Sequence, residues 1–412
     1  MTTNAPAADA VDAYLDETVR VWLGLREPDV EVPRLPEQLA RLLLRLEEHE
    51  RPERDRWGCW DYAMSENAAE LRIAPVDRWL AEQREELARR TTLEPLWPAG
   101  HSFAICLTHD VDVVSDRLTP TQVLRSAQAA FAHDGGNALV RAARPPVRVA
   151  RALRAGVARA PSLSQTLERS VELATAAGAV ASYFFTVPPA GSWTRWDCTY
   201  APGDRCTFRG EEQRIADVMC TLRDEGFDVG LHGSYESARA PGVLEAEKAL
   251  LERVLGSEVT TTRQHFLHWD IRWTPGLQEH ARFRADSSLG FNRSVGFRAG
   301  TSLPFHQFDL MTRRALDLLE VPLVVQDAAL LGPIGLGRDE DATSSAVWEL
   351  FEEVAAVGGL LTFVFHPDKL DRPDWLALYE SVLDHAAASG AWLTSLARLD
   401  DWWRERERTI VG

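Results

Sequence analysis

The residues best suited to chemistry stand at the ends of apolar runs. Phe103-Ala-Ile-Cys-Leu-Thr-His-Asp-Val-Asp112 begins as an uninterrupted apolar stretch and closes on Thr108, His109, Asp110 and Asp112. Such a run reads as a strand buried on both faces, the pattern of a parallel sheet. In α/β folds, ligands and catalytic groups collect at the carboxyl ends of these strands. Two carboxylates two positions apart repel each other unless a cation or a shared proton intervenes, so a metal is the chemistry the pair suggests. Alone, Asp-x-Asp suits a solvated turn or a helix N-cap equally well. Three further runs shift the balance. Val229-Gly-Leu-His232 is followed by Gly-Ser-Tyr-Glu236, Thr262-Arg-Gln-His265 by Phe-Leu-His268, and Phe363-Val-Phe-His366 by Pro-Asp-Lys. A lone histidine at a strand end is usually structural, but three beside an Asp-x-Asp are hard to dismiss. Imidazole and carboxylate together suit zinc, iron, cobalt or nickel, with an open position for a catalytic water.

These side chains need a scaffold. Residues 10 to 95 read as helices, with Val11 to Leu25, Pro36 to Glu50 and Val76 to Arg90 carrying apolar residues at spacings of three and four. Between them, Arg56-Trp-Gly-Cys-Trp-Asp-Tyr62 packs three aromatics into a turn-like stretch, read as a docking surface rather than a binding box. Leu96-Trp-Pro-Ala-Gly-His101 breaks the pattern and sets a boundary near residue 100. After Asp112, Thr119 to Arg159 is rich in alanine and arginine and reads as a solvated basic helical surface. Helix Leu163 to Ala177 then leads to strand Ala181 to Val187, and a helix opening at Gly210-Glu-Glu-Gln-Arg214 leads to Phe227 to Leu231. Gly242 to Leu255, Thr262 to Leu267, Leu277 to Arg284, Leu318 to Val325, Ala346 to Val357, Gly359 to Phe365 and Ala391 to Ser395 continue the series. Seven or eight β/α units suggest a barrel.

Composition bounds the function. The 412 residues suffice for one barrel-sized domain plus an extra segment. A formal net charge of −17 argues against nucleic acid or an anionic membrane as the main partner, since both need a basic face. The five cysteines have no Cys-x-x-Cys spacing and read as packed, reduced thiols; only Cys198 and Cys206 fall in a loop-like region where a bridge could form. The first ten residues lack a basic region followed by an apolar core, and no uncharged run approaches the roughly 20 residues that span a bilayer, so a cytoplasmic location is expected.

In these motifs the chain resembles the polysaccharide deacetylase family with the NodB-homology fold, over roughly residues 100 to 405. Thr108-His-Asp110-Val-Asp112 is similar to a first-motif variant in which the two acids are one residue apart, and the resemblance implies Asp110 as catalytic base and Asp112 as metal ligand. His232-Gly-Ser-Tyr-Glu236 matches the second motif, His-Ser-x-x-His, only at His232. The third ligand is then Glu236 or His265, with His265 preferred and His268 the weaker choice. Arg263-Gln-His-Phe266 resembles Arg-x-Pro-aromatic and implies Arg263 as the residue that orients the base. Phe365-His366-Pro367 resembles the final motif, whose histidine is the general acid. Ala285 to Gly300 is similar to a late structural loop, with Arg298 expected near the substrate.

The resemblance implies a NodB-like distorted (β/α)7 barrel over 101–412, behind an N-terminal helical region over 1–100 that could dock another protein. It also implies a divalent ion, zinc before cobalt, nickel or iron, and removal of an acetyl group from an N-acetylated sugar or a cell-envelope polysaccharide precursor. Two other readings are a metal-dependent hydrolase of a different C–N bond and a non-catalytic NodB-fold binding protein.

Overall fold

The computed structural model describes residues 5–55, 57–114, 163–187, 189, 194, 196–198, 200–332 and 340–412. The Thr119 to Arg159 stretch lies outside them.

The apolar run before the acid pair forms β1, Ala104–Val111, buried at every position. Because side chains alternate along a strand, Ile105, Leu107 and Val111 face one core cluster and Ala104 and Cys106 face another. Chain order then gives β2 (Ser182–Phe185), β3 (Arg205–Phe208), β4 (Glu211–Arg214), β5 (Asp228–Gly233) and β6 (Thr261–Gln264). It continues with β7 (Ala285–Asp286), β8 (Phe305–Asp309), β9 (Arg314–Glu320), β10 (Val325–Gln326), β11 (Leu360–Phe365) and β12 (Trp392–Thr394). Ten strands make one sheet in the order β10-β11-β1-β2-β5-β6-β7-β9-β8, with β12 also beside β1. Every pairing in it is parallel except β8 with β9. The architecture is mixed α/β around a mostly parallel sheet, and among the described residues β10 and β8 end the path without pairing with each other.

Parallel strands bring their carboxyl ends to one edge. The register sets His109 beside Phe365 of β11 and Asp110 beside Phe184 of β2, while His232 of β5 lies beside Arg263 of β6. The endings of β1, β5, β6 and β11 are therefore neighbours, although they are far apart in the chain.

Two expectations about elements change. The helix expected over Pro36 to Glu50 is broken into Glu37–Leu43 and Leu46–Glu50, because Arg45 adopts the left-handed conformation (φ 55°). That turn lets the buried Arg45 guanidinium reach Glu48. The helix expected to open at Gly210 starts at Ile215 instead. Arg209 and Gly210 both have positive φ (53° and 77°), the turn geometry that joins two strands into a hairpin, and β3 and β4 pair antiparallel across it. The element over Leu277 to Arg284 is a helix that starts and ends earlier, Thr274–His280.

The N-terminal helices share a core with the sheet. Tyr14, Trp22, Leu43 and Leu80 cluster with Ala104, Phe184 and Leu319. The Trp22 indole donates to the Pro304 carbonyl at 2.8 Å and that of Trp97 to Gly358 at 2.8 Å, so each buried aromatic also satisfies its polar N–H. A wholly buried ion pair ties the two parts together. Arg298 forks onto Glu48 at 2.9 and 2.8 Å, donates to the Gly290 carbonyl at 2.8 Å and lies over the Trp269 ring. Arg298 is thus structural and does not face a substrate cavity, contrary to the expectation from sequence.

Candidate metal centre and active site

Asp112, His232 and His265 offer ligand atoms that all lie within 4.8 Å of one another. The Asp112 Oδ1 is 3.3 Å from His232 Nε2 and 3.6 Å from His265 Nε2. A tetrahedral ion bonded at about 2.0–2.1 Å to nitrogen and oxygen sets its donors about 3.3–3.4 Å apart, which these separations approach.

The tautomer of His232 is fixed from behind. Its Nδ1 lies 3.0 Å from the Arg263 carbonyl and carries a proton to donate there, which turns Nε2 toward Asp112. That Nε2 is buried and has no hydrogen-bond partner. A buried polar atom without a partner costs roughly 1–3 kcal/mol, and a bound cation would relieve it. Burial would drive Asp112 toward its neutral form, but His265, His232 and His366 hold its carboxyl well below the usual range.

Asp110 shares the face of Asp112, two positions back along the strand. Arg263, wholly buried against the Phe184 ring, donates to Asp110 Oδ1 at 3.1 Å and to Thr108 Oγ1 at 2.5 Å. It is itself held by Ser287, through the carbonyl at 2.7 Å and the hydroxyl at 2.8 Å. Burial pushes the Asp110 carboxyl up, but Arg263, His232 and His366 overcome it and hold it below its ordinary value. Asp110 is therefore an ionised acceptor, 3.9 Å from His232 Nε2.

His366 comes in from the end of β11, its Nε2 3.8 Å from Asp112 Oδ2. Its Nδ1 is 2.6 Å from Asp327 Oδ1, and its backbone N–H donates to Asp327 Oδ2 at 2.7 Å. Burial favours the neutral ring, but the Asp327 carboxylate outweighs it, helped by Asp112 and Asp110, and raises His366 to about 10. Asp327 was not singled out in the sequence, yet Val324-Val-Gln-Asp327 repeats the pattern of the other endings, an apolar run closing on a titratable residue. In contrast, His109 points to the opposite face, stacked on Tyr183 with Nε2 2.9 Å from the Tyr379 hydroxyl; burial pushes it down to about 3.

Glu236 is exposed and outside the cluster, and so is His268, whose ring stacks on Tyr235 with Nδ1 2.6 Å from the Tyr235 carbonyl. Of the alternatives for the third ligand, the geometry therefore favours His265. The chain leaves His265 through a strained turn, with Phe266 and Leu267 both at positive φ (60° and 46°). Asn292 donates to the Phe266 carbonyl, and Cys59 Sγ lies 3.5 and 3.3 Å from the Phe266 and Leu267 carbonyls. The N-terminal segment thus braces the turn that carries His265. It also lends Trp57 to the wall of the cavity above the site, so the aromatic stretch expected to be a docking surface reaches the cavity.

That cavity has a volume of about 1240 Å³ and is lined by Asp110, Asp112, His232, His265 and His366 at its base, with Trp57, Phe266 and Trp375 among its walls. Its rim charges are paired, Lys369 with Asp368 and Arg372 with Asp374. All five cysteines are free; Cys206 lies in β3, while Cys198 stands against the site, and neither residue type nor spacing signalled its place there.

No family model matches the sequence, and no curated protein matches it. Solved structures do. The Puue allantoinase is 15% identical, over 77% of this chain and 95% of that one, with a TM-score of 0.48. A protein from Mycobacterium smegmatis assigned as a polysaccharide deacetylase is 17% identical, over 77% and 96%, with a TM-score of 0.47. One from Pseudomonas aeruginosa PAO1, assigned likewise, is 14% identical, over 77% and 95%, with a TM-score of 0.47. The class defined by the observed topology is a mixed α/β protein with a mostly parallel sheet. Of those three solved chains, two are assigned as polysaccharide deacetylases and one is an allantoinase. No helix among the described residues is long and apolar enough to cross a membrane.

Proposed function

We propose that this chain is a metal-dependent hydrolase that removes the acetyl group from an N-acetylated sugar or a cell-envelope polysaccharide precursor. The observation that carries the reading is the meeting of Asp112, His232 and His265 around one point, with the ionised Asp110 on the same strand end. The donor set fits a divalent ion, because His232 Nε2 is buried, makes no hydrogen bond and faces Asp112 at 3.3 Å. Two imidazoles and a carboxylate favour zinc, with cobalt, nickel and iron as substitutes. Such an ion, when bound, lowers the pKa of water toward neutrality and polarises a carbonyl.

The chain's own residues supply the proton transfers. Asp110 accepts the proton of the attacking water at a carboxylate oxygen, and Arg263 keeps that oxygen ionised and oriented. His366 holds a proton at Nε2 and delivers it to the departing amine, which leaves poorly as an anion. Asp327 fixes the ring for that transfer through Nδ1. Trp57 and Phe266 offer aromatic faces to the apolar side of a sugar ring, and a cavity of about 1240 Å³ admits more than one such ring.

The test is acetate release from N-acetylated amino sugars by the full chain after zinc reconstitution, run beside hydrolysis of cyclic amides. Asp110→Asn should keep the ion and lose turnover, whereas His232→Ala should lose both. Full activity in either variant overturns these roles. Activity only on cyclic amides identifies the other C–N hydrolase, and near-zero bound metal after reconstitution identifies a binding protein.

A further inference from the structure

One wall of the cavity carries buried polar atoms that make no hydrogen bond among the described residues. β10 pairs with β11 at Gln326 and Val364, and the chain leaves β11 through His366 into the turn Pro367–Lys369 and the helix Pro373–Ala388. From these elements, which also carry His366 and its partner Asp327, the residues Gln326, Asp368 and Trp375 line the cavity. The Asp368 side chain is only 8% exposed; Oδ2 is paired with Lys369, whereas Oδ1 is buried without a partner. Trp375 is 2% exposed, and its Nε1–H donates to nothing, although the Arg372 guanidinium covers the ring at 5.2 Å. Gln326 is likewise buried with Oε1 unpartnered. Buried polar atoms normally find partners, so three in one cavity wall point to a ligand that supplies them. The charge of the wall narrows the ligand. Lys369 and Arg372 are paired with Asp368 and Asp374, and Asp371 adds a third carboxylate, which leaves the segment net negative.

We infer that Asp368, Trp375 and Gln326 form a specificity-determining subsite for the hydroxyls of an uncharged sugar ring, on the side of the departing amine; this rests on reading the cavity as a deacetylase site. A hydroxyl both donates and accepts. Its proton suits the Asp368 or Gln326 oxygen, and its lone pair suits the Trp375 N–H. A phosphate or carboxylate substituent offers acceptors alone, so it leaves both oxygens unsatisfied and meets a wall of its own sign. The placement agrees with the proton path. His366 delivers to the departing amine, and the groups that follow it in the same turn and helix hold the ring that bears that amine. The substrate class is therefore a neutral N-acetylated amino sugar, free or within an oligomer, rather than a sugar phosphate or a nucleotide-linked sugar.

The experiment measures acetate release by the zinc-reconstituted full chain from N-acetylglucosamine, its monodeoxy analogues and its anomeric phosphate. In the unaltered chain, kcat/KM should fall about ten- to a hundredfold for at least one monodeoxy analogue, the usual worth of a hydrogen bond to a charged group, and by at least as much for the phosphate. Asp368→Ala should lose a similar factor on the parent sugar, mostly through KM, and should no longer distinguish that analogue from it. Trp375→Phe, which removes the N–H and keeps an aromatic ring, should blunt the same discrimination. Three results overturn the subsite while the deacetylase reading stands: no penalty for any monodeoxy analogue, a phosphate processed as fast as the neutral sugar, or an Asp368→Ala chain that still penalises the same analogue. Absence of acetate release from every sugar, by the unaltered chain holding its metal, overturns that reading and the subsite with it. Should Asp368→Ala misfold, Trp375→Phe decides, since unchanged discrimination there refutes the subsite.

Discussion

Replacing Asp327 by asparagine isolates the charge behind the proposed general acid. The amide keeps the size of the carboxylate and one carbonyl acceptor, so either the His366 backbone N–H or the ring Nδ1 stays bonded, but the negative charge 2.6 Å from Nδ1 is gone. A rise of His366 from 6.5 to about 10 corresponds to about 5 kcal/mol of imidazolium stabilisation at about 1.4 kcal/mol per unit. Asp327 is the leading favourable contributor, opposed by burial. Without it burial governs, and the neutral ring should prevail at neutral pH. A bound cation also repels the imidazolium, so the unaltered enzyme should lose activity on an alkaline limb below 10. In Asp327→Asn that limb should move to lower pH, and kcat at pH 8 should fall by about 10²–10⁴, the usual worth of a positioned acid. KM and metal content should change little. The assay is the pH profile of kcat for acetate release, paired with metal analysis of the same samples. An unmoved alkaline limb with undiminished kcat would refute the role of both residues. The linkage also has a sign: a raised imidazole stabilises the fold fully below 6.5, and that contribution fades as pH climbs toward 10.

Other consequences can be checked independently. Glu48→Gln leaves Arg45 and Arg298 buried without their anion and should cost about 3–5 kcal/mol in urea unfolding, while the exposed pair Arg89–Glu85 should be near neutral to break. Burial would raise Glu48, but Arg298 and Arg45 hold it at about 2, so its contribution is present above 4.5 and should drain away as pH falls toward 2. An acid-unfolding midpoint in Glu48→Gln with the same pH dependence as the parent would contradict this. Trp57→Ala removes a cavity wall without touching the proton path; KM should rise about three- to tenfold with kcat nearly constant, and a kcat loss instead would place Trp57 in the chemistry.

The sequence by itself determined the strand ends. An apolar run closing on Asp-x-Asp implies two carboxylates on one face, because strand side chains repeat every two residues, and Asp110 stands in β1 with Asp112 just past its end. The same reasoning put His232, His265 and His366 at the ends of β5, β6 and β11. What periodicity cannot supply is which endings become neighbours. That follows from strand order, which sets β1 between β11 and β2 and so brings a residue from position 366 against one from position 112. Tertiary structure alone also turned Glu236 to solvent and His265 inward, beside Asp112 and His232. It buried Arg298 against Glu48 rather than leaving it at the cavity, since a guanidinium deep inside needs a carboxylate more than any local pattern reveals. Asp327, Cys198 and Trp57 reach the site from a short helix, a loop and the N-terminal segment, and long-range closure of that kind leaves no period in the sequence to read.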